Sequence, residues 1–370
     1  EPSRKKSNSM KRLLLLFLIS ASAGALLAQD AQLAQQYYRD GEYEKAAVLY
    51  ENLYKQSNYK DYYFDRYVES LMAMDEYDDC EKVIKKHLRR DPSNPQVHVT
   101  YGKLLERQVK DEAAQEQFQM AIDKLPKDQF SVTKLANAFM ALTKYDLAIA
   151  TYEKGAQMLK SREAFAYNLG ELYRRKGDIP KMVENYLASI DANPKRITRV
   201  KSILQRYLNP EDFREVQRQL YAKIQEETNN PIYPELLAWV FIQQKDYNGA
   251  LRQVRALDRR FGENGGRVYA LAQVAANDKD YDAAIKAYEY IVAEKGPQSP
   301  YYLDAKRQSL RAKRKQLVNG YDYTEAQLRE LEQEYETFLA EFGRSKVTAR
   351  IILELAELQA LYINDLDKAI

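Results

Sequence analysis

Cysteine, histidine and tryptophan are scarce in this chain of 370 residues, which has one Cys, two His and one Trp. A lone Cys80 cannot form an internal disulfide, and His87 with His98 offers little to a soft metal, so disulfide-stapled folds, zinc sites and redox chemistry are close to excluded. Also missing are a Gly-rich phosphate loop, a Gly-x-Ser-x-Gly elbow, a His-Glu-x-x-His pair and a Cys-x-x-Cys pair. No enzyme and no cofactor are therefore expected within these residues. Neither sign of charge dominates, with 57 Lys plus Arg against 54 Asp plus Glu. What is present is 45% hydrophobic, 30% charged and rich in tyrosine, with 30 of them. That balance belongs to a folded, mostly helical chain and not to a disordered or collagen-like one.

The net charge of +3 would hint at an acidic partner if it were spread over the fold. Its location says otherwise. Met10-Lys11-Arg12 precedes an unbroken apolar run from Leu13 to Ile19, followed by a small-residue stretch ending Leu26-Leu27-Ala28-Gln29. A basic start, a short apolar run and a small-residue exit form a secretory signal peptide over residues 1–28, with Met10 the natural start and cleavage after Ala28. An uncleaved N-terminal anchor is the alternative. No Cys follows the run, so lipidation at that point is excluded. Without residues 1–28 the basic and acidic counts are 52 and 53, a net of −1. Nucleic acid is not expected as a partner.

Internal repetition organises the remainder. A step of 34 from Ala34 meets Val68, Gly102, Ala136, Gly170, Leu204, Ala238 and Ala272; six of the eight are Gly or Ala. A second ladder reads Ala46, Cys80, Ala114, Ala148, Met182, Val216, Ala250 and Ala284. A third, four residues later, reads Tyr50, Ile84, Phe118, Tyr152, Tyr186, Leu220, Val254 and Tyr288. Each unit predicts two antiparallel helices, with small residues where backbones approach and a large apolar residue one turn beyond. Turn segments such as Gly41-Glu42-Tyr43 and Asp280-Tyr281 separate them, and Pro92, Pro126 and Pro194 close units. Pro180, two residues after Asp178, suits a first helical turn. Cys80 stands in a slot other units fill with Ala, which predicts a buried packing residue, although it shares a helical face with His87.

These residues resemble the tetratricopeptide repeat family. The fifth unit carries Leu169-Gly170, Tyr173, Gly177, Tyr186 and Pro194, with Met182 departing from the usual Ala; the third carries Tyr101-Gly102, Leu105, Ala114, Phe118, Ala121 and Pro126. The sixth, around Leu204 to Thr228, keeps only the period and Phe213 and is expected to pack irregularly. The resemblance implies an all-α fold, an α-solenoid (right-handed superhelix) of stacked antiparallel helix pairs with a 34-residue period, in eight units over residues 29–298. A longer helical hairpin is expected over 299–346, from helices at about Pro300–Leu317 and Thr324–Phe342. Residues 347–370 then begin a further unit, with Ala369 standing 85 residues after Ala284 where two plain repeats would take 68. That ending leads to the expectation of an N-terminal part of a longer protein.

In the family, first helices line a concave groove. Carried onto this chain, the inward residues are Tyr62, Met72, Asn137, Met140, Tyr167, Arg174, Lys201, Trp239, Ile242 and Tyr269. The resemblance implies a protein partner, bound as an extended peptide or helix, in a scaffold of the periplasm or outer-membrane periphery of a Gram-negative bacterium. Tyr-rich, Cys-poor repeats are similar to envelope proteins of Bacteroidetes-type bacteria. The alternative is a sensory or docking arm of a larger protein with a membrane or catalytic C-terminal part. Some relatives clamp a terminal carboxylate with Lys and Asn; Asn137 and Asn168 are suitably spaced, but Thr133 stands where the basic residue should be. The basic run Lys306 to Lys315 offers a weak peripheral contact with the envelope, against the preferred reading of a solvated helix face. No metal is expected.

Overall fold

The computed structural model describes residues 27–57, 61–320 and 323–370, and of the signal sequence expected over residues 1–28 all but the last two, Met10 among them, lie outside the described residues. The described residues contain helices and connections and no strand. The chain divides into two compact units, Glu1–Lys176 and Gly177–Ile370.

The first unit holds α1 (27–39), α2 (Tyr43–Gln56), α3 (Asp61–Ala73), α4 (Tyr77–Arg90), α5 (Pro95–Arg107), α6 (Asp111–Asp123), α7 (Gln129–Ala141), α8 (Tyr145–Leu159) and α9 (Ala166–Lys176). The second holds α10 (Ile179–Ala192), α11 (Ile197–Tyr207), α12 (Phe213–Glu226), α13 (Ile232–Gln243), α14 (Tyr247–Arg260), α15 (Gly266–Asn277), α16 (Tyr281–Tyr290), α17 (Tyr302–Gly320), α18 (Glu325–Phe342), α19 (Ala349–Leu358) and α20 (Leu366–Ala369). Helices pair within repeats, as α5 does with α6 and α13 with α14, and the pairs stack on one another, as α2 does on α3 and α14 on α15. The fold is all-α, a solenoid of helix pairs.

All positions of the three 34-residue ladders are buried. Their volumes compensate across the seam. A Cβ added at Gly102 would stand 2.3 Å from the Phe118 ring, closer than any real Cβ contact, and where the first ladder carries Leu204 the third carries Leu220 instead of an aromatic. Third-ladder rings also reach the next repeat: Phe118 meets Phe139 edge-on at 5.8 Å, and Tyr152 meets Phe165 at 5.1 Å. One helix pair alone would leave these faces wet, which is why the pairs stack.

A fourth ladder is visible only in the backbone. Gly41, Asp75, Val109, Thr143, Gly177, Lys245 and Lys279 all have positive φ, each at the same point between the two helices of its unit. In this left-handed turn the next amide reaches back five residues, as from Glu76 to Leu71 at 3.0 Å and Lys110 to Leu105 at 2.9 Å, satisfying a helix-end carbonyl. Glu211 would be the sixth-unit member and does not share the conformation. There Asp212 instead accepts from the Asn209 amide at 2.9 Å, and α12 rests on α10 and α13 more than on α11. The sixth unit departs from the others in both its turn and its packing.

Helix starts follow from composition. Asp178, Asp246 and Asp280 cap α10, α14 and α16 through backbone amides, and Pro180 sits in the first turn of α10. Thr324 and Gln327 form a capping box at α18. Asp258, fully buried, accepts from the Gly265 amide at 2.8 Å and the Tyr290 hydroxyl at 2.8 Å and pairs with Lys295 at 2.6 Å. This buried carboxylate ties the turn after α14 to the end of α16.

Two substitutions test this account. Val109, β-branched at φ 60° and exposed, is strained, so Val109→Gly should raise unfolding free energy by about 1 kcal/mol in urea titrations. Gly102→Ala should lower it by roughly 1–3 kcal/mol, and Phe118→Leu in the same chain should recover part of that loss. A pair of additive losses would contradict the compensating seam.

Candidate partner-binding grooves

In the first unit, α3, α5 and α7 present their first-helix faces to one cleft of about 270 Å³. Its walls include Tyr62, Asp65, Arg66, Glu69, Thr100 and Lys103, and a step of 34 relates Asp65, Arg66 and Glu69 to Val99, Thr100 and Lys103. Tyr62 is 50% exposed and lies 5.8 Å from the Arg66 guanidinium. Arg66 also pairs with Glu69 at 2.8 Å. Met72 lines the same cleft, and at 2% exposure it also packs in the core with Phe64, Val68 and Ile84. Asn137 is exposed and Met140 half-buried, while Ala138 and Ala141 are the α7 residues on the cleft wall. Tyr167 and Arg174, on α9, converge on Glu171, at 3.5 Å and 3.0 Å. Asn168 donates to the Tyr152 hydroxyl at 3.2 Å, so it is engaged internally.

In the second unit, Lys201 on α11 places its ammonium 5.8 Å from the centre of the Trp239 ring on α13, and Phe213 meets that ring edge-on at 6.3 Å. Burial pushes the Lys201 ammonium down from its ordinary value, with Glu235 opposing. Ile242, one turn beyond Trp239, is half-buried. Tyr269 on α15 stacks on Tyr301 at 5.1 Å and meets Tyr288 edge-on at 5.6 Å. Lys201, Glu235 and Tyr269 are spaced by 34, so the repeat itself aligns them on successive first helices.

The run Lys306 to Lys315 is mostly ion-paired, with Lys315 its exposed and unpaired member. Lys306 pairs with Glu341, Arg307 with Asp304, Arg311 with Glu354 at 2.9 Å, Lys313 with Glu289 and Glu334 at 3.0 and 2.8 Å, and Arg314 with Glu357 at 2.7 Å. Most of its charge is therefore paired against α16, α18 and α19. Lys306 and Lys313 also line a cleft of about 540 Å³ with Glu289, Glu330, Glu334 and Glu341. Sequence reasoning missed this cleft, whose only advance sign was the acidic content of the α18 segment.

Cys80 is fully buried, and burial pushes its thiol up to about 12, so it is a packing residue without thiolate chemistry. His87 is turned to the Tyr54 hydroxyl at 2.6 Å. No group of three or more His, Cys, Asp or Glu among the described residues could hold a metal. No helix among them is long and apolar enough to cross a membrane.

Residues 133–196 and 236–300 match the tetratricopeptide repeat family model. The tetratricopeptide resemblance is supported over those four units. The sixth unit, with its altered turn, falls between the two matched stretches. A search of curated proteins found no match. Among solved structures, the C-terminal part of a TPR repeat-containing protein from Cytophaga hutchinsonii is 16% identical with a TM-score of 0.30, over 74% of this chain and 98% of that one. A tetratricopeptide repeat protein from Parabacteroides merdae is 15% identical with a TM-score of 0.28, over 71% and 98%. Naa15/Naa10 bound to HypK-THB is 15% identical with a TM-score of 0.30; 93% of this chain spans 57% of that one.

Asp65 allows a test of the first-unit cleft. Burial, reinforced by Glu69 and Asp61, pushes its carboxyl up to about 6 from 3.8. A carboxyl with a raised folded value holds its proton better when folded. Its contribution to stability is complete below 3.8 and is lost as pH rises through about 6. Asp65→Asn should therefore be more stable than the parent chain near neutral pH, with the difference closing in acid, as measured by urea unfolding at several pH values. An equal difference at every pH would refute the assignment.

Proposed function

We propose that this chain is an exported scaffold of the Gram-negative periplasm or outer-membrane periphery that binds a partner protein, as an extended peptide or a helix, along its first-helix faces. Tetratricopeptide repeats in general mediate contacts between proteins, and the leader pattern over residues 10–28 supports export. The observation that carries the reading is the Trp239 anchor. The chain's single Trp is held half-buried between Lys201 and Phe213, with Ile242 beside it. A tryptophan fixed in this way offers a large contact area and loses few rotamers on binding. The repeat stack around it is already ordered, so little receptor entropy is lost as well.

A photo-crosslinking residue placed at Tyr269 should trap a partner in cell-envelope fractions, and Trp239→Ala should abolish that product. With the trapped partner purified, the same substitution should weaken binding by about 2 kcal/mol, roughly thirtyfold. Undiminished crosslinking in the Trp239→Ala chain would remove the groove assignment.

A further inference from the structure

A second cleft in the second unit, of about 380 Å³, is enclosed by α15, α16, α17 and α19. Its walls carry four cations, Arg311, Arg314, Lys315 and Arg350, and one carboxylate, Glu354. Glu354 is buried and already answers three donors: Arg311 at 2.9 Å, Arg350 at 3.4 Å and the Tyr335 hydroxyl at 3.4 Å. Arg314 is held by Glu357. Lys315 is exposed and has no ion-pair partner among the described residues, and Arg350 is 78% exposed with only its share of Glu354. Tyr288, at 2% exposure, also lines the cleft. The side-chain amides of Gln308 and Asn319 complete the wall.

This arrangement is the counterpart of the acidic 540 Å³ cleft. One helix, α17, sends Lys306 and Lys313 towards four glutamates on one side and Arg311, Arg314 and Lys315 towards the other. The positive side carries four cationic side chains against one carboxylate. Such a site is completed by anions that bring acceptor oxygens.

We propose that this cleft binds an acidic segment of a partner protein, with glutamate or aspartate carboxylates pairing with Lys315 and Arg350 and accepting from the Tyr288 hydroxyl. The proposal deepens the groove reading and rests on it only in using a first-helix face of the second unit. Charge supplies the selectivity: a neutral segment would leave Lys315 unpaired and Arg311 and Arg350 sharing Glu354, whereas an acidic one brings further carboxylates to them.

The test is fluorescence anisotropy of labelled hexaglutamate and hexaglutamine peptides titrated with the full chain. Hexaglutamate should bind at least about tenfold more tightly, and added salt should weaken it. Lys315→Glu and Arg350→Glu should each weaken hexaglutamate by about tenfold, with unchanged far-ultraviolet circular dichroism, since both side chains are exposed. Lys82→Glu, an exposed lysine on α4, and Trp239→Ala should leave it unchanged. The proposal is overturned if the two peptides bind alike, if both reversals are silent, or if Lys82→Glu weakens binding as much as Lys315→Glu. Loss of partner crosslinking in Trp239→Ala with no hexaglutamate preference would sink this cleft alone. The converse result would sink the Trp239 anchor alone.

Discussion

Every helix pair in this protein depends on two backbones coming close enough for a small residue on one helix to receive a large one from the other. Gly102 under the Phe118 ring is the tightest case seen, and no Cβ fits between them. Because the second helix carries its large residue on the face that also meets the next repeat, burying it requires the neighbour, and the array becomes its own core. The left-handed turn between paired helices sets the register of this seam. Where that turn is missing, at the sixth unit, α12 packs on α10 and α13 more than on its own partner α11.

The same periodicity that builds the core arranges the surface. A 34-residue step puts Lys201, Glu235 and Tyr269 in one row, and Trp239 stands one turn along from that row under the Lys201 ammonium. Side chains held on rigid helices keep their positions with little entropy left to lose, which suits recognition of a flexible partner. Charge is handled with similar economy. Around α17 the basic residues are divided between two clefts of opposite sign, so a run that is dense in sequence is nearly neutralised on one side and in surplus on the other.

Much of this was legible beforehand because burial in a repeat array is a property of spacing. The ladders, Pro180 in its first turn, the packing role of Cys80 and the irregular sixth unit all follow from residue type at a fixed interval. Met72, assigned to the groove on the same spacing, lines the cleft and also packs on the core, because a helix face is about 100° wide and a large apolar side chain at its margin turns inward towards Ile84 and Phe64. The pairing of the basic run was hidden for a related reason. Its neutralising carboxylates, Glu289, Glu334, Glu341, Glu354 and Glu357, come from other helices, at separations that depend on the length of the hairpin arms. The turn ladder was hidden because Val109, Thr143, Lys245 and Lys279 do not look like left-handed residues, and only the neighbouring Gly41 and Gly177 do.

The amino-acid sequence by itself determined the helical class, the period, the buried positions and the row of first-helix residues, since each is a local consequence of size and spacing. Tertiary structure alone decided which charges meet. It matched Lys306 and Lys313 with glutamates, left Lys315 unpaired, brought Lys201 over Trp239 and set Tyr288 on the wall of a cationic cleft. Electrostatic pairing acts through a few ångströms of space, and residues dozens of positions apart come within that range only after the helices have stacked.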